Sequence, residues 1–385
     1  MEIYLDNSAT TKIRQEVMEE IKDVYENNYG NPSSIHRKGL QIEKKMEISR
    51  KSVARVINAK PEEIYFTGGG TESNNIAILG HLNNSSNSEV KYNIITTKIE
   101  HPSVYNTFKH FEENLDVKYL GTDETGKINI SELAESVDEN TLLVSIILVN
   151  NELGTIQELD KIVETVKKKN KRTKIHVDAI QAFGKIKIDT NKTHVDTISF
   201  SSHKIHGPKG VGGLYIRSGC RINSVIFGGN QEKGIRPGTE NTPGIVGFGK
   251  ACELVYENFQ DETDKLYALK EKYGMRLKEE IEDIKINSDL TILGAPHILN
   301  VSFKNIKGEV LVHYLENKGI YVSTGSACSS KAKSDNRILK SINLDRDYID
   351  GTIRISFGYF NNLDEIDYVI LNMKESINEI RKFMK

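Results

Sequence analysis

The sequence predicts an α/β protein built on a mainly parallel sheet with helices on both faces. Two observations carry this reading. Between residues 60 and 220, short apolar runs rich in β-branched residues alternate with longer amphipathic stretches, and strands that are nearly all apolar belong to sheets covered on both sides. After about residue 245 the regular alternation stops and strands mix with helices, which predicts a second, smaller α+β unit.

Seven runs read as strands: 63–66, 92–97, 117–120, 141–149, 174–177, 197–200 and 213–216. The stretches 71–81, 102–112, 131–137 and 158–169 read as helices between them. Beyond them a long helical stretch spans 245 to about 281, followed by strands at 298–303 and 352–356 and helices at 308–317 and 364–383. The organisation expected is a large domain over 16–245 and a small domain made of 1–15 and 246–385. The N-terminal strand returns to pack beside the small domain in this reading.

Composition narrows the function. The 385 residues include 52 Lys+Arg against 54 Asp+Glu, a formal charge of −2, which gives no bulk attraction to phosphate backbones or anionic lipid. Binding to nucleic acid mainly by electrostatics is argued against. The basic run Lys167-Lys168-Lys169-Asn170-Lys171-Arg172 is read as a solvated helix C-terminus, where cations are favoured anyway; a tRNA or an acidic partner is the lesser reading. The apolar run 142–149 is far shorter than the ~20 residues a spanning helix needs, and the first residues show no basic-then-apolar signal pattern. Cys220, Cys252 and Cys328 are few and far apart, so neither a disulfide framework nor a Cys-x-x-Cys pair is present, and a reducing, cytoplasmic compartment is expected. Cys252 reads as a small core residue on a helix, and Cys220 as part of a turn.

Several loops fall where open α/β folds place ligands, at the carboxyl ends of strands. The stretch Phe66-Thr67-Gly68-Gly69-Gly70-Thr71-Glu72-Ser73 runs from a strand through glycines into a helix. Backbone N–H groups and the helix N-terminus there suit an anion. The spacing matches neither the dinucleotide fingerprint nor the P-loop, so a single phosphate fits best. Taken alone, the stretch reads more simply as a glycine turn capped by Thr71. The run His176-Val177-Asp178 ends an apolar strand on an acid, which taken alone reads better as a helix cap. The run Ser199 to Gly210 ends a strand in a polar cluster with Lys204 between His203 and His206. That His pair lacks the Glu of zinc peptidases, so no metal is assigned. A lysine desolvated at a strand tip is a candidate for a Schiff base.

Together these loops supply a phosphate cradle, an acid and an imine-forming lysine, the three things pyridoxal phosphate requires. A fourth loop, Ser323-Thr324-Gly325-Ser326-Ala327-Cys328-Ser329-Ser330, sets a cysteine among small polar residues, followed by Lys331 and Lys333. It reads as an exposed, mobile segment over about 321–335 whose thiol is biased toward thiolate, although a chance surface thiol would look alike.

Read together, the motifs YLDNSATT (4–11), GNPSS-H (30–36), FTGGGTESNN (66–75), EHPSV (100–104), VNNELGTIQ (149–157), HVDAIQ (176–181), SFSSHKIHGPKG (199–210), RPGTEN (236–241), GSACSS (325–330) and IRISFG (353–358) resemble those of a NifS/IscS-type cysteine desulfurase. That family lies in the class V aminotransferase group of fold-type I pyridoxal phosphate enzymes. The resemblance covers essentially the whole chain. It implies a large cofactor-binding domain with a mainly parallel seven-stranded sheet and a smaller α+β domain carrying the cysteine loop.

By resemblance, Lys204 would hold pyridoxal 5'-phosphate and shuttle the substrate Cα proton, Asp178 would pair with the ring nitrogen, and His101 would stack over the ring. Gln181 and Asn151 would bond near the ring's phenolic oxygen. Gly70 and Thr71, with Ser201 and His203, would hold the phosphate, and Thr239 would complete the cradle from a partner subunit, implying a homodimer with shared active sites. Arg354 would clamp the substrate carboxylate, with Asn31 as a weaker contact and Asn151 nearby. Cys328 would take sulfur from L-cysteine as a persulfide, release alanine and pass sulfur to an acceptor protein for iron–sulfur cluster assembly or tRNA thiolation. The competing readings are a selenocysteine lyase or an aminotransferase of the same fold, and a non-catalytic sulfur-assembly scaffold. Intact Lys204, Asp178 and Cys328 argue against the scaffold.

Overall fold

A computed structural model describes residues 2–82, 91–325 and 336–383. The chain opens with β1 (Ile3–Tyr4), α1 (Gln15–Glu26) and α2 (Arg37–Val56). Strands and helices then alternate: β2 (Ile64–Thr67), α3 (Gly70–Leu82), β3 (Asn93–Thr97), α4 (Pro102–His110), β4 (Asp116–Leu120), α5 (Ile130–Ser136), β5 (Thr141–Ile147), α6 (Leu159–Lys169) and β6 (Lys174–Asp178). β7 (Thr197–Ser201) and β8 (Gly212–Ile216) follow, then α7 (Thr242–Glu257) and α8 (Phe259–Glu280). The remainder comprises β9 (Ile284–Ile286), β10 (Ile298–Phe303), α9 (Gly308–Glu316), β11 (Ile320–Tyr321), α10 (Arg337–Ser341), α11 (Arg346–Ile349), β12 (Thr352–Ser356) and α12 (Ile366–Phe383).

The seven-stranded sheet has the order β2-β8-β7-β6-β5-β3-β4. Its pairs from β4 to β7 are parallel, while β8 runs antiparallel to both β7 and β2. The mainly parallel sheet expected from the sequence is therefore present. Every residue of β3, β7 and β8 is buried, which is why these strands lack a polar alternation. Because β8 reverses direction twice over, β2, β6 and β7 all point the same way. Their carboxyl ends meet at one edge, the position at which open α/β sheets receive ligands.

Two hydrophobic cores are the largest among the described residues. The larger surrounds the sheet, with Val144, Val177 and Phe200 meeting Phe248 of α7, and the rings of Phe183 and Phe200 stack at 4.6 Å between centroids. The smaller gathers Leu269 of α8, Phe303 of β10, Ile355 of β12 and Met373 of α12. Ile3 and Leu5 belong to this second core, and β1 pairs in parallel with β11, so the N-terminal strand does return to the C-terminal part.

The long helical stretch expected from residue 245 is two helices. It begins earlier, where Asn241 Oδ1 accepts the Gly244 N–H at 3.2 Å and Pro243 sits in the first turn. It breaks at Asn258, whose side-chain amide donates back to Leu254 O at 2.8 Å and closes α7. Cys252 is fully buried in α7, as expected. α1 and α2, which the sequence reading did not single out, pack on α7. α2 buries Ile42, Met46, Ser49 and Val53, a spacing of four, three and four that makes one helical stripe. Among the described residues no helix is long and apolar enough to cross a membrane.

Candidate active site

The shared edge of β2, β6 and β7 is where the predicted site residues collect. β2 runs into Gly68, Gly69 and Gly70, and α3 starts at Gly70. Gly69 adopts φ of 147°, which a side chain would oppose. A cavity of about 730 Å³ opens there, lined by Gly69, Gly70, Thr71, Ser201, His203 and Thr10 among others. The first N–H groups of a helix lack internal partners and carry partial positive charge. Ser201 Oγ is buried and has no hydrogen-bond partner among the described residues. An orphaned hydroxyl beside a glycine-lined helix start fits a phosphate group.

Lys204 follows β7 in a short 3₁₀ turn. Its Nζ donates to Ser8 O at 2.5 Å and to Ala9 O at 2.8 Å. The turn is pinned by His206, which sits at φ of 63°. Its backbone N–H donates to Thr11 Oγ1 at 2.8 Å, its Nδ1 bonds Lys12 O at 2.8 Å, and its Nε2 accepts the Tyr359 N–H at 3.1 Å. Three contacts outside its own turn hold this strained backbone in place. Burial keeps the His206 imidazole neutral, with its pKa lowered to about 3. His203 Nδ1 bonds Thr10 Oγ1 at 3.1 Å, and its pKa is lowered to about 4, chiefly by burial.

Asp178 ends β6 and is 1% exposed. Its carboxylate accepts the Ile180 N–H at 3.0 Å and an Asn74 amide hydrogen at 2.8 Å. Burial raises its pKa, and the nearby His101 opposes that rise. His101 caps α4, its Nδ1 accepting the Ser103 N–H at 3.2 Å. The same placement puts His101 beside Asp178. Burial pushes the His101 pKa down while Asp178 pulls it up. Gln181 donates to Ser8 O at 2.9 Å, and its carbonyl is hydrogen-bonded with His297 Nε2 at 3.2 Å. Ser8 O thus receives both Gln181 and Lys204.

Arg354 lies in β12 and is 3% exposed. One guanidinium nitrogen donates to Asn151 O at 2.8 Å and another to Asp6 Oδ1 at 2.9 Å. Arg354 Nε and Asn151 Oδ1 are buried without a hydrogen-bond partner among the described residues. Such an arginine can receive a planar carboxylate. Asn31 and Thr239 are exposed and do not line the cavity beside Gly70; Asn31 Oδ1 accepts the Ser33 N–H at 2.9 Å. Cys328 lies outside the described residues. Cys220 is partly buried, and burial pushes its thiol up to about 11.

Contributors that carried no assigned role in the sequence reading include Asp6, Ser8, Asn74 and Ser103. Each sits inside a motif quoted above, which was the only available signal. Chemically the site can hold an anion at the glycine edge, a cation at Asp178 and a carboxylate at Arg354, with an amine between them.

Comparison with known proteins matches residues 3–369 to the Aminotransferase class-V family. The chain is 39% identical over 383 residues to a Clostridium botulinum protein named cysteine desulfurase IscS, covering 99% of this chain and 96% of that one. A solved structure called NIFS-LIKE PROTEIN superposes with a TM-score of 0.92 at 40% identity, covering 98% of this chain and all of that one. Another, described as SspA in complex with cysteine, gives a TM-score of 0.81 at 31% identity, covering 94% of this chain and 100% of that one.

Proposed function

The chain belongs to the class V aminotransferase family and, through its full-length relatives, to the cysteine desulfurases within it, and on that footing we propose that it removes sulfur from L-cysteine to give L-alanine and a persulfide on Cys328. The observation that carries this reading is the convergence of Lys204, Asp178, the Gly70–Thr71 helix start and Arg354 in a chain whose relatives are named for that reaction. The neighbour solved with cysteine supports the substrate.

The cofactor is pyridoxal 5'-phosphate. Its phosphate suits the N–H groups of Gly70 and Thr71 with the Ser201 hydroxyl and His203, and Asp178 suits a protonated ring nitrogen. When bound, the group supplies an aldehyde for an amine and a ring that draws electrons from the substrate's Cα–H and Cβ–S bonds. Lys204 takes the Cα proton and later returns one, a base whose pose is set by the Ser8 and Ala9 carbonyls. Arg354 binds the substrate carboxylate, held in register by Asp6 and the Asn151 carbonyl. Gln181 and His101 fix the surroundings of the ring. The Cys328 thiolate attacks the substrate sulfur; an S–S bond forms, the Cβ–S bond breaks, and the carbon skeleton leaves as alanine after protonation.

Thr239 lies exposed and does not line the cavity beside Gly70, which supports its entering the site of a second copy, while Asn31 would remain a weaker contact to the substrate carboxylate. The large unit around the sheet would hold the cofactor and the C-terminal unit would present Cys328. An acceptor protein would then receive the sulfur, for cluster assembly or tRNA thiolation.

Incubating the purified protein and Cys328→Ala with L-cysteine and dithiothreitol, and measuring sulfide and alanine, tests the reading. Both products from the parent and neither from the variant are expected. Full cysteine activity in the variant would remove Cys328 as nucleophile and favour a lyase. A parent loaded with cofactor but inert, even with added acceptor proteins, would overturn the desulfurase reading.

A further inference from the structure

Behind Asp178 runs a chain of buried polar groups that the mechanism above does not use. Asn74 of α3 is 0% exposed. One of its amide hydrogens goes to Asp178 Oδ2 at 2.8 Å and the other to Ser103 Oγ at 2.9 Å. Its carbonyl oxygen must therefore accept, and His176 Nε2 lies 3.1 Å from it. His176 Nδ1 is 2.9 Å from Thr197 Oγ1, which is 3.2 Å from His81 Nε2.

Donor counting fixes the direction of every link. His176 carries its hydrogen on Nε2 to meet the Asn74 carbonyl, so Nδ1 accepts the Thr197 hydroxyl hydrogen. The Thr197 oxygen then accepts from His81 Nε2. A second branch runs from Asn74 through Ser103, whose hydroxyl meets His101 Nδ1 at 2.8 Å. One amide is thus the junction between the acid at the end of β6 and the imidazole at the start of α4.

We propose that Asn74 is a positioning residue, orienting the Asp178 carboxylate toward the cationic ring nitrogen of the cofactor, at the head of a hydrogen-bonded relay that ends at His81. The inference rests on the pyridoxal phosphate reading given above. The relay's neutrality is what makes it useful. Burial holds the pKa of His176 down to about 3 and that of His81 to about 4. Asp196, Lys174 and Lys167 lie around His81, the acid raising and the two lysines lowering its pKa, and burial exceeds them. An imidazolium in this chain would satisfy Asp178 internally and weaken its pull on a ring N–H. Neutral donors orient the carboxylate and oppose its protonation without cancelling its charge.

The test compares pyridoxal 5'-phosphate with its 1-deaza analogue, which has carbon in place of the ring nitrogen. Dissociation constants for both are measured on the cofactor-stripped full chain, for the parent, Asn74→Ala, Ser103→Ala and Thr197→Val. The parent prefers the natural ligand. Asn74→Ala loses about tenfold in affinity for it, the cost of one hydrogen bond to a charged group, and nothing for the analogue. Thr197→Val, which cuts the relay away from the site, narrows the same gap by about two- to threefold, and it decides the matter if Asn74→Ala fails to fold. Ser103→Ala severs only the His101 branch and leaves the gap intact. Equal losses for both ligands would make Asn74 a packing residue only, and an unchanged gap in Asn74→Ala and Thr197→Val would overturn the relay. A parent that binds neither ligand overturns the cofactor reading itself, which separates that failure from the relay's.

Discussion

Arg354 illustrates what a single residue contributes here. Its guanidinium reaches the Asn151 carbonyl and the Asp6 carboxylate, and Nε is left over inside the protein. A planar fork with an unused donor can take a carboxylate in two places, whereas an ammonium offers one compact charge. Replacing Arg354 with Lys should raise KM for L-cysteine about tenfold, the loss of one charged hydrogen bond, and change kcat less. Steady-state kinetics checks this; a fall in kcat at constant KM would remove Arg354 from substrate binding. The residues legible in the sequence share a property: Lys204, Asp178 and Arg354 carry charge or nucleophilicity in a quotable motif. Asn74 has neither. Its partner Asp178 is 104 positions away, and an amide inside a helix announces nothing until the fold brings that carboxylate to it.

Elements impose a different constraint, the distance between backbones. Gly212 opens β8, and a Cβ there would lie 2.7 Å from Phe200 O and 2.8 Å from Gly69 Cα. Both neighbours are main chain and cannot swing aside. Gly212→Ala should therefore destabilise the protein by about 1–3 kcal/mol, read as a lower urea midpoint. It should also weaken cofactor binding, because the atom it displaces belongs to the glycine edge of the cavity. Unchanged affinity with lowered stability would uncouple β8 from the cradle. The strands and helices of the sheet were legible because apolar runs of strand length alternate with longer amphipathic ones. The break between α7 and α8 was not, since Asn258 closes a helix with a side-chain bond to Leu254 O that no periodicity records. α2 was missed because its apolar stripe is narrow and interrupted by Ser49.

For the whole molecule, the histidines set the response to acid. Six of the ten have pKa values below the ordinary range because of burial: His81, His101, His176, His203, His206 and His297. Unfolding frees them to take up protons, so their contribution to stability is intact above a pH of about 6.5 and is lost as pH falls toward their folded values. Glu100 works the other way. Burial raises its pKa to about 8, so its share is present below the usual carboxylate range and fades as pH rises through that value. Burial raises the Asp6 and Asp178 carboxyls in the same sense; the six histidines outnumber these three acids, and Tm should fall as pH is lowered from 6.5 to 5, with a shallower slope in His176→Gln. A flat profile over that interval would mean these imidazoles are charged in the folded protein.

The bond between Asp6 and Arg354 has a bearing on how a ribosome makes this chain. Its two ends are 348 residues apart in sequence, an interval of about 20 to 70 s at ordinary rates of synthesis. For most of that time Ile3 and Leu5 wait for a core whose strands, the first of them at Ile284, have not yet been made. The seven-stranded sheet, complete by Ile216, can assemble long before then. A newly made molecule would thus own its glycine edge, its acid and its lysine while still blind to substrate. On the proposed role of Arg354, the ability to hold an amino acid by its carboxylate would arrive with one of the last strands translated.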